Sequence, residues 1–144
     1  MLCVYMVCVV YIDLNEALKS ELHVYVVHSI ADRVLKEEGK LHSFEIPIQV
    51  GAALTDIEMF SVRDCVGDNI SDKNPQYCEL TALYWIWKHD KAKYAGLSHY
   101  RRRFDITEEQ AQKFLNSDID IVTTVPFLNF AGVRQQYCCD HEEK

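Results

Sequence analysis

A histidine, a tyrosine and three arginines stand side by side at residues 99–103, directly after a short apolar run. A guanidinium fork binds two phosphate oxygens at once, and an imidazole beside it donates a hydrogen bond or moves a proton. The alternatives are a solvated basic turn and arginines that pair with carboxylates of the same chain. The residue types and their position after a predicted strand favour a site for an anion.

A second group of polar residues precedes and opens a helix rich in aromatic residues. A helix N-terminus binds anions, so a phosphate or a sugar hydroxyl could dock there. Capping and Asx-turn chemistry explains the same loop residues without a ligand. A carboxylate one turn into the helix would bind a sugar hydroxyl or pair with the arginines. The candidates in this group are Asp68, Asn69, Ser71, Asn74 and Glu79.

Asp118 and Asp120 form a D-x-D pair of the kind that holds a divalent cation on a diphosphate. They begin a predicted strand, whereas ligands of parallel sheets bind at the carboxyl ends of strands. We therefore predict no metal ligand at this pair and no certain cofactor, with a divalent metal as the alternative. His28 stands at the carboxyl end of the first long strand, where it is placed to contact a nucleotide.

The acidic composition limits the class of partner. The chain of 144 residues carries a formal net charge of −7, which argues against general binding of nucleic acid. Its length suits one domain with a core of its own. Six cysteines show neither a C-x-x-C pair nor zinc-ligand spacing, so we expect reduced thiols in a cytoplasmic protein.

The N-terminal run at residues 1–12 is apolar but far shorter than the roughly 20 residues that span a bilayer. It has no basic region and no small-residue cleavage site, so it does not resemble a signal peptide. We predict no transmembrane segment and interpret this run as a buried strand or an appendage.

Strands and helices alternate along the rest of the chain. We predict strands at residues 22–27, 94–98 and 118–125, and an extended segment around Pro47 that is followed by a turn at Gly51. This alternation predicts an α/β layered domain with a mostly parallel sheet.

Two helices are predicted. The first begins with Asn74 as its N-cap and continues to about residue 90. One face of it carries Tyr77, Leu80, Tyr84 and Trp87 at helical spacing. We assign Trp85 and Trp87 to the core, with a stacking platform for a base or a sugar as the alternative. A capping box at residues 107–110 begins the second helix.

The segments IPIQVGAAL, GDNISDKNPQYCELTALYWIWK and GLSHYRRRF resemble the bacterial domain-of-unknown-function family 4422. That family occurs in capsular and exopolysaccharide synthesis loci, and its members are generally treated as glycosyltransferases of the GT-A type. The resemblance runs from about Leu22 to the end of the chain and implies a GT-A-like (Rossmann-like) fold. The family's signature falls on Gly51, Asp68, Asn69, Ser71, Lys73, Asn74, Glu79, Leu80, Thr81, Tyr84, Trp85, Trp87, His99, Tyr100, Arg101 and Arg102.

The chain departs from the family in two respects. The first strand of the family typically ends in Thr-His-Lys, whereas residues 27–29 here read Val-His-Ser, so one basic contact is lost. Family members also continue well beyond residue 144, which implies that the fold is incomplete and that this chain resembles an N-terminal portion. We accordingly expect an N-terminal extension at residues 1–21 and a nucleotide-sugar-binding part at residues 22–144.

The resemblance implies transfer of a sugar from a nucleoside diphosphate sugar to a saccharide or lipid-linked saccharide, in the synthesis of capsular polysaccharide, exopolysaccharide or lipopolysaccharide. On this hypothesis Arg101 and Arg102 neutralise the departing diphosphate in place of a metal. His99 and Tyr100 orient the phosphate or the sugar. The donor hydroxyls are contacted by Asp68, Asn69 and Glu79.

Two other functions stay open. One is a truncated, non-catalytic fragment or binding module in which the arginine cluster is structural. The other is a phosphate-handling enzyme of another class, such as a nucleotidyltransferase. The expected location is the cytoplasm, with peripheral association at the inner face of the membrane as an alternative.

Overall fold

A computed structural model describes residues 10–11, 22–36 and 39–124 of the chain. Its strands are β1 Val10–Tyr11, β2 Leu22–His28, β3 Glu45–Gln49 and β4 Tyr94–His99. Its α-helices are α1 Asn74–Tyr77, α2 Leu80–His89 and α3 Glu108–Leu115. Predictions for the other residues lie outside the described ranges, and the division of the chain at residue 21 stays a prediction.

The four strands form one sheet in the order β1-β4-β2-β3. Strand β2 is parallel to both β3 and β4, while the backbone of β1 pairs with β4 in the antiparallel sense. Pro47 lies in β3, at the edge of the described sheet, where a missing N–H breaks no inter-strand ladder. The α/β class with a mostly parallel sheet is thereby confirmed.

Alternation along the strands divides the core between the two faces of the sheet. One face packs against α2 through Tyr25, Val27, Ile48, Ala82, Ile86, Ala95 and Leu97. The other packs against α3 through Leu22, Val24, Phe44, Tyr94 and Ala111. Ile86 is 1% exposed, and burying a side chain of this size contributes roughly 1.5–3 kcal/mol. The result is a layered α/β/α arrangement, which agrees with the predicted GT-A-like fold.

The prediction of one continuous helix from Asn74 is wrong. Helix α1 ends at Tyr77, Cys78 has a φ of 48°, and α2 begins at Leu80. Asn74 is the first helical residue rather than the N-cap, because its side-chain amide donates to the Cys78 carbonyl at 2.8 Å and to Thr81 Oγ1 at 3.1 Å. Those bonds hold the chain in a turn that a straight helix could not form.

The prediction that Trp87 belongs to the core is also wrong, because its side chain is 55% exposed. Ala82 and Ile86 lie on the side of α2 that meets the sheet, and the predicted aromatic face lies on the opposite side. Trp85 does pack against the core, and its indole N–H donates to the Val66 carbonyl at 2.9 Å. Within the described helices, none is both long enough and apolar enough to cross a membrane.

The predicted strand that begins at Asp118 is not formed. Residues 118–124 have no strand conformation, and Ile119 and Ile121 are exposed. A strand needs a partner strand, and none pairs with these residues within the described part of the sheet. Residue 125 lies outside the described ranges.

The start of α3 agrees with the predicted capping box. The Gln110 N–H donates to Thr107 Oγ1 at 3.2 Å, and the Thr107 N–H donates to Gln110 Oε1 at 2.8 Å. The reciprocal pair satisfies two N–H groups that the helix itself cannot.

Candidate functional site

The strand order brings the ends of β2 and β4 together. From β2 the chain adds β3 on one side and later returns to add β4 on the other, so β2 and β4 flank a topological switch point. Ligands of open α/β sheets bind in the crevice outside the carboxyl ends at such a point. His28 ends β2, His99 ends β4, and Val27 is paired with His99 in the sheet.

Aromatic rings line this edge. The ring of Tyr100 lies 5.5 Å from that of His28 and 4.4 Å from that of His99, while Phe60 lies 4.7 Å from His28, all between ring centroids. Tyr100 is buried, and its hydroxyl accepts the Arg33 N–H at 3.0 Å. The four rings therefore form a packed group with little freedom to move.

Gln49 holds the loop that carries Phe60. Its buried side chain donates to the Ile57 carbonyl at 2.7 Å and accepts the Met59 N–H at 2.9 Å. Neither Gln49 nor Phe60 lies in a sequence motif, and their role depends on a loop that returns to the end of β3, so neither was predicted from the sequence.

The surroundings of His99 favour the neutral form of its ring, because they lower its pKa. Burial lowers the pKa of its ring, Arg101 and Arg102 lower it further, and Glu79 and Asp32 oppose the shift. Its Nδ1 accepts the Arg101 N–H at 3.2 Å, so the ring carries its proton on Nε2. That atom is 3.8 Å from a carboxylate oxygen of Glu79. His99 can thus donate a hydrogen bond whose direction Glu79 helps to set.

The three arginines differ in their surroundings. Arg101 and Arg102 are exposed on a tight turn in which the Arg102 N–H donates to the His99 carbonyl at 2.8 Å. Arg103 instead grips the buried carboxylate of Glu45 with two bonds of 2.9 Å and 2.8 Å. Two further N–H groups donate to the carbonyls of residues 39 and 40, each at 2.7 Å. For Arg103, pairing with a carboxylate of the same chain is the observed arrangement.

Asp32 also lies at this edge, although it was not among the residues predicted from the sequence. Its Oδ2 accepts the Ser29 N–H at 2.9 Å and is 3.8 Å from His28 Nδ1. Burial raises the pKa of Asp32, against the opposing effects of the Ser29 N–H, His28, His99 and Arg101. The signal in the sequence was a serine three residues before an aspartate directly after a strand, which is a common turn pattern.

Ser71 and Asn74 stand behind the edge, in a network around the buried Asp64. That carboxylate accepts the Ser71 and Thr81 hydroxyls and the N–H groups of residues 51 and 52. Ser71 is fully buried, and Asn74 bonds to Thr81 as described above. Gly51 has a φ of 62°, and a Cβ added there would meet Asn74 Oδ1 at 3.0 Å. These contacts position the loop that presents Glu79.

Asp68 and Asn69 lie elsewhere on the surface. Asn69 bonds to the carbonyls of Cys65 and Gly67, which is turn chemistry. Asp68 accepts the Tyr84 hydroxyl at 3.0 Å and pairs with Lys88 at 3.2 Å, and these two residues lower its pKa. Within the described residues no contact joins Asp68 or Asn69 to the rings at the sheet edge.

The structure therefore brings together part of the predicted set, namely His28, Glu79, His99, Tyr100, Arg101 and Arg102. Asp118 and Asp120 are exposed. The described residues contain no group of three His, Cys, Asp or Glu side chains arranged to hold a metal ion.

Comparison with known proteins gives one family and one solved structure. The family model described as Domain of unknown function (DUF4422) matches residues 26–141. A solved structure described as the apo form of a WbbM bifunctional glycosyltransferase is 40% identical over 56% of this chain, with a TM-score of 0.46. The match spans 13% of that protein's chain. A search of the curated proteins found no match.

Proposed function

The chain belongs to the DUF4422 family, and from that premise and the chemistry of the sheet edge we propose that it binds a nucleoside diphosphate sugar for transfer of the sugar to a saccharide. The observation that carries the proposal is the group of Arg101, Arg102 and His99 at the carboxyl end of β4, beside the end of β2. Two exposed guanidinium groups and a neutral imidazole suit a diphosphate better than a single carboxylate.

Arg101 and Arg102 would stabilise the charge that develops on the departing diphosphate. Fixed cations at the position where charge develops lower the barrier most effectively, because they need no reorganisation during the reaction. Arg103 is excluded from this role because Glu45 and two backbone carbonyls occupy its donors. His99 and Arg103 anchor the two ends of the turn and so fix the backbone positions of Arg101 and Arg102.

The remaining roles follow from protonation and position. His99 would donate its Nε2 proton to a phosphate or sugar oxygen, with Glu79 either orienting the ring or accepting a donor hydroxyl. Tyr100 and His28 would form the wall of the pocket. Ser71 and Asn74 would act by holding the loop before α2, while contacts from Asp68 and Asn69 would need the substrate to reach α2's outer face.

The finer features rest on the resemblance of the motifs. We propose a saccharide or lipid-linked saccharide as the acceptor. The pathway would be the synthesis of capsular polysaccharide, exopolysaccharide or lipopolysaccharide. The location would be the cytoplasm, with peripheral association at the inner face of the membrane as an alternative. The second candidate is a non-catalytic binding module in which the arginine cluster is structural. The ion pair with Glu45 supports a structural role for Arg103.

Replacing Arg101 tests the proposal. We expect Arg101→Ala to lower turnover of a nucleoside diphosphate sugar by about 10²–10³-fold, the range typical of one transition-state donor. Lys113→Ala, which removes an exposed charge from α3, should leave turnover unchanged. Wild-type turnover should persist in EDTA, because arginines supply the positive charge.

A panel of nucleoside diphosphate sugars titrated into the chain separates the two candidates. Saturable binding with sugar transfer, identified by mass spectrometry of the products, supports the proposal. If no donor gives a saturable response, the chain is a binding module of another kind rather than part of a glycosyltransferase. Equal turnover in Arg101→Ala and Lys113→Ala would show that Arg101 has no role in the transfer.

A further inference from the structure

Asp32 lies in the turn after β2, and backbone hydrogen bonds fix its position. The Asp32 N–H donates to the Ser29 carbonyl at 3.0 Å, and the Ser29 N–H donates back to Asp32 Oδ2 at 2.9 Å. The N–H of Arg33 donates to the hydroxyl of the buried Tyr100 at 3.0 Å. The carboxylate is therefore held at a set place beside the aromatic rings, as a preorganised catalytic group must be.

The turn uses one oxygen of this carboxylate. Oδ2 accepts the Ser29 N–H, whereas Oδ1 accepts no hydrogen bond within the part of the chain that the structure describes. The side chain is 20% exposed, so a substrate hydroxyl can reach it. Oδ1 is therefore available to accept a hydrogen bond from a substrate hydroxyl.

The titratable and charged groups that face Asp32 come from three places. His28 approaches from the end of β2, with its Nδ1 3.8 Å from Asp32 Oδ2. His99 at the end of β4 and Arg101 in the turn that follows it act on Asp32 through their charge, and each lowers the pKa of its carboxyl. Asp32 and the cation proposed to receive the diphosphate thus lie at the same edge of the sheet, close enough for the charge of Arg101 to act on the carboxylate.

We propose that Asp32 is the general base of the transfer and takes the proton of the acceptor hydroxyl. The inference rests on the proposed function. As the acceptor oxygen bonds to C1 of the sugar, its proton passes to Asp32 Oδ1. The bond from C1 to the diphosphate oxygen breaks, and its electron pair leaves on that oxygen beside Arg101. A single displacement of this kind inverts the configuration at C1.

The other groups at the edge suit this role less well. His99 has Nδ1 engaged by the Arg101 N–H and a proton on Nε2, so it is arranged to donate rather than to accept. Glu79 lies 3.8 Å from that Nε2, where it helps to set the direction of the hydrogen bond that His99 donates. Burial raises the pKa of Asp32, which makes it a stronger base than an ordinary carboxylate.

The test compares Asp32→Asn with Asp72→Asn, an exposed aspartate in the turn at Ser71–Lys73, in the full chain. We expect Asp32→Asn to lower kcat by about 10²–10⁴-fold with an unchanged KM for the donor, and Asp72→Asn to match the wild type. The wild-type rate should fall as pH falls through the pKa of Asp32, and this acid limb should vanish in Asp32→Asn. Formate, a small carboxylate, should restore part of the turnover of Asp32→Ala.

Each outcome decides something different. If the wild type transfers sugar and Asp32→Asn does so equally well, or if the product retains configuration at C1, Asp32 is not the base although the proposed function stands. Loss of donor binding together with turnover in Asp32→Asn, without rescue of Asp32→Ala by formate, assigns Asp32 a structural role and also overturns the inference. A wild type that binds no nucleoside diphosphate sugar would overturn the proposed function itself.

Discussion

Three adjacent arginines follow β4, and their guanidinium groups meet different surroundings. Arg101 and Arg102 are exposed, whereas Arg103 is bound by a carboxylate whose side chain has no exposure and by two carbonyls. A buried charge that keeps its partner is tolerated, but one that loses its partner is strongly destabilising. On the proposed function, the same residue type binds the ligand at position 101 and stabilises the fold at position 103.

Removing Arg103 should therefore destabilise the fold, because its ion pair with Glu45 is structural. We expect Arg103→Met to lower the free energy of unfolding by about 3–5 kcal/mol, because Glu45 is left buried with an uncompensated charge. Arg101→Met, at an exposed position, should change it by less than about 0.5 kcal/mol. Urea denaturation measures both. Equal effects of the two variants would show that the Glu45–Arg103 pair does not stabilise the fold. Adding Glu45→Leu to Arg103→Met should recover much of the lost stability, because no buried charge is then left unpaired.

At the scale of the elements, short-range sequence patterns predicted several strands and helix starts correctly. Strands β2 and β4 agree with their apolar runs, and α3 begins at its capping box, because strand periodicity and caps depend on neighbouring residues. Failures came where specific side-chain bonds or the pairing of strands, rather than the local pattern, decide the conformation. The break at Cys78 follows from the bonds of Asn74 and from the network around Asp64, and residues 118–124 have no partner strand in the described sheet.

The site shows the same division. His28 and residues 99–102 could be placed together from the rule on strand ends. Phe60 could not, because it reaches the edge through a loop whose path the sequence does not indicate. Asp32 has a sequence signal, the serine three residues before it in the turn after β2, but that pattern is too common to select it as a site residue. Ser71 was selected for its type, yet its hydroxyl is buried against Asp64.

The break between α1 and α2 stores backbone strain that a glycine would release. Cys78 has a φ of 48° and a ψ of −126°, a region that residues with a Cβ rarely adopt. We expect Cys78→Gly to raise the free energy of unfolding by about 1 kcal/mol. Cys78→Ala, which removes the thiol and keeps the strain, is the control, and thermal unfolding compares the two. A glycine variant no more stable than the alanine variant would argue that the turn is unstrained.

At the scale of the whole molecule, protonation of the site is linked to stability. The pKa of His99 is lowered in the folded protein, so between that pKa and the ordinary value of about 6.5 the unfolded chain binds more protons. Stability should therefore fall as pH falls through about 6.5, and stay lost below the folded pKa. The melting temperature of His99→Gln should fall less between pH 7.5 and pH 5 than that of the wild type. Parallel curves would show that His99 does not contribute.

The strand order has a consequence during synthesis. Strand β2 lies between β3 and β4, and β4 emerges about 70 residues after β2. At about 5–20 residues per second, a ribosome needs roughly 4–14 s to make that stretch. Throughout this interval one edge of the apolar β2 lacks its partner and can pair with another nascent chain. The yield of folded protein thus depends on translation rate and chaperone supply, which the stability of the finished molecule does not report.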